Sequence, residues 1–217
     1  MDGTPRPAFG FFGGYDDGDH GKMSRYITRN FGKTDFVFFE RMYRYVLVDV
    51  NCIPGEGERG HYTFVTNGMG SEEMFVDDPE RSRVELALYL SNAPEKEKIK
   101  SYSSFLINCT KIPFEDETFF AEGHTMEENE YNKETLFPYY DGFVFRQTRT
   151  RKGRADAKVN LPFLNATVRF LDLIPVYREE FTLIHKDSKA FFAWLDKEYP
   201  DTAKFVDVKR EKRFGKD

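Results

Sequence analysis

The stretch VLVDVNCIPGEGERGHYTFVTNGMGSEEM, residues 46–74, decides the fold. Residues 45–53 (YVLVDVNCI) and 61–68 (HYTFVTNG) are rich in β-branched and aromatic side chains that partly alternate with polar ones, which predicts two strands. Each run is followed by turn-forming residues. These are Pro54, Gly55 and Gly57 after the first run, and Gly68 and Gly70 after the second.

Segments on both sides of this stretch extend the pattern. Residues 35–40 (DFVFFE) predict a strand beside the first of the two, and residues 83–90 (RVELALYL) predict a further strand. In the latter, aliphatic residues occupy alternate positions, and we interpret that one face as the core face. The apolar period then changes to about 3.6, which predicts a helix that begins at Pro94 and ends at Pro113.

The second half of the chain predicts more strands and a final helix. Residues 137–148 (FPYYDGFVFRQT) contain an alternating run, and residues 165–176 (NATVRFLDLIPV) predict the last strand. Between them the basic segment 146–158 surrounds Gly153, which suggests the tip of a long hairpin that protects a sheet edge. Together these elements predict an α+β fold of the α/β-sandwich type, with a mixed, largely antiparallel sheet flanked by helices.

Length and composition predict a single domain. The chain has 217 residues, of which 40% are hydrophobic and 32% charged, as expected for a globular protein with an ordinary core. Residues 1–21 are rich in Gly, Pro and Asp without periodicity and predict a flexible N-terminal tail, with a short helix expected only over residues 24–30. We therefore predict one domain over residues 22–204 and a basic C-terminal tail over residues 205–217.

Charge and cysteine content restrict the function classes. The net charge of -5 argues against a nucleic-acid-binding protein, although the basic segment 146–158 leaves that alternative open. No run approaches the roughly 20 apolar residues that cross a bilayer, and the N-terminus does not have the pattern of a signal peptide. Cys52 and Cys109 are too few for a disulfide scaffold. The sequence predicts a cytoplasmic protein with no membrane partner.

A search for catalytic and metal-binding motifs predicts neither a cofactor nor a metal site. The four histidines are scattered without ligand spacing, and no nucleophile elbow or phosphate-binding loop is present. One alternative remains open. Glu122, Gly123 and His124 place an imidazole beside a carboxylate, so a hydrolase that uses His124 with Glu122 or a more distant acid is the second hypothesis.

Several of these segments, in this order, resemble the suppressor of fused (SUFU) domain family. Residues 46–74 resemble its strand, turn and strand, followed by a T-x-G-M turn that is TNGMG at residues 66–70 here. Glu85 and Leu86 match the E-L pair of its next strand, residues 120–126 (FAEGHTM) resemble its G-H segment, and residues 168–181 resemble its late strand and helix start. The resemblance covers residues 35–198.

The resemblance implies a non-enzymatic, protein-binding domain without catalytic residues, similar to a bacterial single-domain member. For such members it implies an immunity protein that neutralises a partner toxin. The animal relative binds a short peptide that adds as a β-strand, so the resemblance implies a polypeptide partner. The matching motifs suggest these partner-binding residues: Thr66, Gly68, Met69, Glu122, Gly123 and His124.

Overall fold

The computed structural model describes residues 15–41, 47–55, 61–150, 156–200 and 202–211. These residues form four α-helices and eight strands. The helices are α1 (Asp17–Asn30), α2 (Lys96–Glu115), α3 (Glu130–Thr135) and α4 (Glu180–Glu198). The strands are β1 (Phe36–Arg41), β2 (Leu47–Ile53), β3 (Tyr62–Asn67), β4 (Val84–Leu90), β5 (Thr125–Glu127), β6 (Gly142–Gln147), β7 (Lys158–Leu161) and β8 (Ala166–Val176).

All eight strands belong to one sheet. Its order is β1-β2-β3-β4-β8-β6-β5, and β7 also pairs with β8. The pairing of β4 with β8 is parallel and every other pairing is antiparallel. This confirms the predicted mixed, largely antiparallel sheet and the α+β class.

Helices cover both faces of the sheet. On one face, α2 closes a core cluster that contains Leu86 and Leu88 of β4 together with Leu106. The opposite face of β4 carries Ala87 and Tyr89, which pack in a second cluster with residues of α1. A third cluster joins β6 and β8 to α4. The prediction of a single core face on β4 was therefore wrong, because α1 buries the alternate residues as well.

Helix α2 begins and ends two residues later than predicted. Pro113 lies inside it and not at its end. A proline removes only its own N–H bond, and the next turn continues through the bond from the Asp116 N–H to the Ile112 carbonyl, 3.0 Å. Among the described residues, no helix is both long and apolar enough to span a membrane.

The two strands that flank the basic segment do not pair with each other along their length. Both β6 and β7 run antiparallel to β8, and they lie end to end along the same edge of β8, opposite β4. Between these two strands, Arg149 and Asp156 form an antiparallel bridge. Residues 151–155, which include the predicted tip at Gly153, lie outside the described residues.

Part of the predicted N-terminal tail is helical. Helix α1 begins at Asp17, because Asp16 caps it by accepting a hydrogen bond from the Asp19 N–H at 2.8 Å. Tyr15, Asp19 and Met23 are buried. The predicted tail boundary at residue 21 is therefore too late, and residues 1–14 lie outside the described residues.

The predicted C-terminal tail begins too early. Phe205 bridges to Tyr89 of β4, and Val206 and Arg210 are both buried. The Arg210 guanidinium donates to both carboxylate oxygens of Glu180, at 2.7 and 2.6 Å, and lies within 6.0 Å of the ring centroids of four aromatic residues. Residues 205–211 are thus part of the packed structure, since they fill the space between β4 and α4.

Candidate functional site

Three of the predicted partner-binding residues lie at the end of β3 and in the turn that follows it. Thr66, Gly68 and Met69 are all buried. The turn closes around the carboxylate of Glu85 in β4, which is completely buried. Glu85 accepts four hydrogen bonds from neutral donors. These donors are the Tyr15 hydroxyl at 2.7 Å, the Thr66 hydroxyl at 2.6 Å, and the N–H groups of Gly68 at 2.8 Å and Gly70 at 3.0 Å.

The backbone of this turn explains its glycine. Gly68 has φ of 134°, a conformation that L-residues with a side chain rarely adopt, and this conformation aims its N–H at Glu85. The next residues, Met69–Ser71, form a single 3-10 turn that brings the Gly70 N–H to the same carboxylate. The T-x-G-M turn therefore supplies donors to a buried acid.

Two features of the environment of Glu85 have opposite effects on its pKa. Burial raises the pKa of Glu85 above its ordinary value because it removes water from the charged form. The hydrogen bonds from Thr66, Tyr15 and the two glycine N–H groups stabilise the carboxylate and oppose that rise. All four donors belong to this chain, so the cluster fixes the shape of the turn.

The other three predicted residues lie in a turn at the opposite edge of the sheet. Glu122 and His124 are exposed, and Gly123 is half-buried. The Gly123 N–H donates to the Phe145 carbonyl at 2.8 Å, and the Phe145 N–H donates to the His124 carbonyl at 2.9 Å. The turn therefore extends the pairing of β6 beyond β5.

Glycine is required at position 123 for two reasons. Its φ is 88°, and a Cβ atom built there would lie 2.7 Å from the hydroxyl oxygen of Ser188 in α4. Close by, the Thr125 hydroxyl and the His185 ring nitrogen Nε2 are 2.8 Å apart. This edge of the sheet consequently packs against α4, so the structure separates the two groups of predicted residues instead of bringing them together.

The contacts of His124 do not form a hydrolytic centre among the described residues. Its Nδ1 is 3.2 Å from the Phe119 carbonyl oxygen, and its ring lies 4.8 Å from the Phe119 ring. The Glu122 carboxylate accepts from the Gln147 N–H at 3.4 Å. Two cavities among the described residues, of about 400 and 490 Å³, are lined by residues other than Glu122 and His124. These observations give the hydrolase hypothesis no support.

The two cysteines are not placed for nucleophilic chemistry, and the described residues do not form a metal site. Burial raises the pKa of Cys52 to about 11 and that of Cys109 well above its usual range, which suppresses the thiolate form. Both are free thiols. Within the described ranges, no group of three or more His, Cys, Asp or Glu residues is placed to hold a metal ion.

The sheet edge formed by β1 is a feature that the residue motifs did not indicate. β1 is the outermost strand, paired with β2 from Phe36–Cys52 to Arg41–Leu47, and no other described strand pairs with its second edge. Phe36 and Val37 are 50% and 42% exposed. An extended edge with exposed apolar side chains is a template for pairing with another chain. The run DFVFFE predicted the strand, but not its place at the edge.

One arginine of the basic segment 146–158 forms an ion pair with α4. Arg146 forms a bidentate pair with Asp196 of α4, with both N–O distances 2.6 Å, and its guanidinium lies 5.0 Å from the Phe192 ring centroid. Arg149 and Lys158 are exposed. Residues 151–155, which carry Arg151, Lys152 and Arg154, lie outside the described residues. The first arginine of the segment therefore fixes α4 on the sheet.

Comparisons with known proteins identify relatives of this sequence and fold. The family model described as suppressor of fused protein (SUFU) matches residues 44–211, which is most of the chain. No protein with a curated description matches the sequence.

Solved structures share the fold at low sequence identity. A structure described as the Sufu-Fu complex has 11% identity and a TM-score of 0.58, with 90% of this chain and 89% of that chain covered. A putative SUFU homologue from Neisseria gonorrhoeae has 13% identity and a TM-score of 0.53, with 91% and 96% covered. Drosophila Suppressor of Fused has 12% identity and a TM-score of 0.53, with 77% of this chain and 42% of that larger chain covered.

Proposed function

Because the chain belongs to the suppressor of fused family, we propose that it is a non-enzymatic domain that binds a polypeptide partner. The single observation that carries this proposal is the β1 edge, where Phe36 and Val37 are exposed beside an edge that no described strand occupies. An added strand gains affinity from main-chain hydrogen bonds and specificity from alternate side chains. A structural relative described as a Sufu-Fu complex supports a polypeptide as the ligand class.

For the biological role we propose an immunity protein that binds and neutralises a toxin domain. The support is a fold shared with a bacterial homologue over 96% of that homologue, together with a chain of net charge -5. A surface of this sign accelerates the encounter with a basic partner, such as a toxin that acts on nucleic acid. We propose the cytoplasm as its location, since Cys52 and Cys109 are both free.

A charged side chain introduced on β1 tests whether the partner binds at this edge. We expect Val37→Lys to weaken binding of the polypeptide encoded beside this gene by about tenfold or more, because a lysine on an edge strand opposes pairing. Phe75→Lys is the matched control, since Phe75 is 52% exposed and its N–H contacts the Thr118 carbonyl away from β1. Isothermal titration calorimetry measures the affinities, and hydrogen exchange shows whether the amides of β1 become protected in the complex.

Two results would contradict these proposals. Equal affinity of the Val37→Lys variant and its control, without protection of the β1 amides, would reject strand addition at β1. The immunity role is tested separately by co-expression with the neighbouring gene product. It predicts that the chain restores growth of cells that express a toxic partner, and unrestored growth despite tight binding would reject that role.

A further inference from the structure

A cavity of about 490 Å³ lies beside the start of β8, and the binding edge proposed above does not include it. β4 pairs with β8 from Val84–Arg169 onward, whereas β8 already begins at Ala166. The cavity lies where β8 extends beyond β4, and its wall includes Ala166, Thr167 and Arg83. Its volume falls within the range of about 300–1,000 Å³ that is typical of ligand sites.

Thr167 directs its main-chain N–H and C=O groups toward this cavity. The Arg169 N–H donates to the Arg83 carbonyl at 3.1 Å, so Arg169 uses the edge of β8 that faces β4. Alternate residues of a strand direct their main-chain groups to the same edge, and Thr167 therefore faces this edge as well. Within the described residues, neither of its main-chain groups has a partner. One donor and one acceptor are thus available to an added strand.

Two charged side chains in the wall also carry donors without a partner. Lys22 of α1 lines the cavity and forms no ion pair in the part of the chain that the structure describes. The Arg83 guanidinium donates through its two Nη atoms to the Gly70 and Ser71 carbonyls and to Glu73. Its Nε atom is buried and has no partner among the described residues. The unsatisfied charged groups of this wall are therefore hydrogen-bond donors.

The acidic groups around the cavity already accept hydrogen bonds. Glu73 and Glu80 pair with Arg83 and Arg169, at 3.0 and 3.2 Å. Asp19, which is buried, accepts from two N–H groups of the turn between β7 and β8, at 3.3 and 2.7 Å. These acids balance the charges of the nearby cations. An anionic group would therefore be selected by the free donors, because a cationic group would leave them without an acceptor.

β4 limits how a chain can occupy this edge of β8. The residues from Arg83 onward cover the edge at Arg169 and beyond, so a segment that pairs with Thr167 has to end or turn away at Arg83. A segment that runs in the direction of β4 ends there with its carboxyl group, and a segment of the opposite direction has its amino group there. Charge-assisted hydrogen bonds from a guanidinium stabilise only the carboxylate. The blocked edge therefore favours a C-terminus.

From this arrangement we infer that the cavity binds the C-terminal residue of a polypeptide partner, parallel to β8, with its carboxylate near Arg83 and Lys22. Leu161, Pro162 and Leu164 form an apolar part of the wall, which suits an apolar side chain at that residue. β2, β3 and β4 separate β1 from β8, a distance of about 19 Å over four interstrand spacings. The inference is therefore independent of strand addition at β1.

A pair of tripeptides tests the cavity without the partner. We expect N-acetyl-Ala-Ala-Leu with a free carboxylate to shift the amide resonances of residues 83, 160, 161 and 166–168 of the isotope-labelled full chain. The same peptide with a C-terminal amide should bind about tenfold more weakly, because it lacks the negative charge that the free donors would stabilise.

Variants of two lining residues identify the groups that bind the peptide. Thr167→Pro removes the N–H that faces the cavity and should weaken the carboxylate peptide about tenfold. Thr167→Val keeps this N–H and should bind it normally. Lys22→Met should weaken it by up to about fivefold, as expected for a partly exposed ion pair. Lys189→Met, a change of an exposed lysine on α4, should leave its affinity unchanged.

Three results would overturn the inference. These are equal binding of the two tripeptides, equally tight binding of N-acetyl-Glu-amide, and equal affinities of the Thr167→Pro and Thr167→Val variants. If Thr167→Pro does not fold, the tripeptide pair and Lys22→Met still decide. Shifts of the same resonances on addition of unlabelled full chain would assign the site to a second copy and would overturn a separate partner.

The same peptide distinguishes this inference from the proposed function. Val37→Lys changes the β1 edge and leaves the cavity intact, so this variant should bind the carboxylate tripeptide with unchanged affinity. Normal partner binding at β1 without any effect of the tripeptide would reject the cavity alone. Tripeptide binding together with equal partner affinity of Val37→Lys and its control would reject strand addition at β1 and support the cavity.

Discussion

Glu85 and Glu180 are both completely buried, but the chain accommodates the two carboxylates in different ways. Glu85 receives four hydrogen bonds from neutral donors, three of them from residues 66–70 at the end of β3 and in the following turn. Glu180 receives a bidentate contact from the Arg210 guanidinium and a hydrogen bond from the Tyr177 N–H at 3.0 Å. Stabilisation is therefore shared among several weak partners at Glu85 and concentrated in one cation at Glu180.

The largest effect is expected from loss of that cation. Arg210→Met should lower the free energy of unfolding by about 3–5 kcal/mol, because it leaves Glu180 buried without a countercharge. Arg178→Met is the matched control. Arg178 pairs with Glu127 at 3.5 Å and both side chains are 61% exposed, so this change should cost less than about 1 kcal/mol. Urea denaturation measures the stability of both variants. Similar midpoints for the two would contradict the conclusion that Arg210 supplies most of the stabilisation of Glu180.

Removal of the Glu85 carboxylate should have the next largest effect. Glu85→Leu leaves the hydroxyls of Tyr15 and Thr66 and two glycine N–H groups without their acceptor. We expect a loss of about 3 kcal/mol, since each orphaned buried donor costs about 1–3 kcal/mol and the turn can relax toward water. Native hydrogen exchange at the Gly68 and Gly70 amides should increase selectively. A variant with unchanged exchange there would show that the turn does not depend on Glu85.

The burial of Glu85 among neutral donors predicts the direction in which the stability of the chain changes with pH. Burial raises the pKa of Glu85 in the folded chain, so the folded form holds the proton more tightly than the unfolded form. Its contribution to stability is fully present below the unfolded pKa of about 4.3 and is lost as the pH rises through the folded pKa. The stability of the native chain relative to Glu85→Gln should therefore fall as the pH rises from below about 4 toward neutrality. Urea titrations across this range measure it, and a rising difference would contradict the sign.

The smallest effect is expected from removal of one donor among four. Tyr15→Phe deletes the hydroxyl that donates to Glu85 at 2.7 Å and should cost about 1 kcal/mol, because three donors remain. Tyr139→Phe, at a side chain that is 42% exposed, should change stability by less than about 0.5 kcal/mol. If Tyr15→Phe were as destabilising as Glu85→Leu, the stabilisation at Glu85 would not be shared.

The same contrast explains what the sequence could predict. The turn at residues 66–70 and its partner Glu85 are close in sequence, and both were found as a matching motif. Arg210 was assigned to a tail, because a lone arginine carries no local signal that it will reach Glu180, 30 residues away. Strands β1 to β4 were likewise predicted from local alternation, whereas the edge position of β1 depends on the distant pairing of β4 with β8.

The predicted site residues follow the same rule. Their motifs identified two ordered turns, one around Glu85 and one immediately before β5. Sequence alone could not show that Thr66 and Met69 would be buried while His124 is exposed, since burial is set by how α1, α4 and the sheet pack together. Whether any of these residues contacts a partner stays a prediction.

The bridge between Arg149 and Asp156 has a practical consequence for engineering. These two residues pair with each other, and the Ala157 N–H resumes the ladder by donating to the Thr148 carbonyl at 2.6 Å. Exit and re-entry points are therefore adjacent, so extra residues inserted between them would not shift the register of β6 or β7. Doubling the length of such a connection costs only about 0.6 kcal/mol of closure entropy. An epitope or fluorescent reporter can be grafted at this position while the remaining surface stays available.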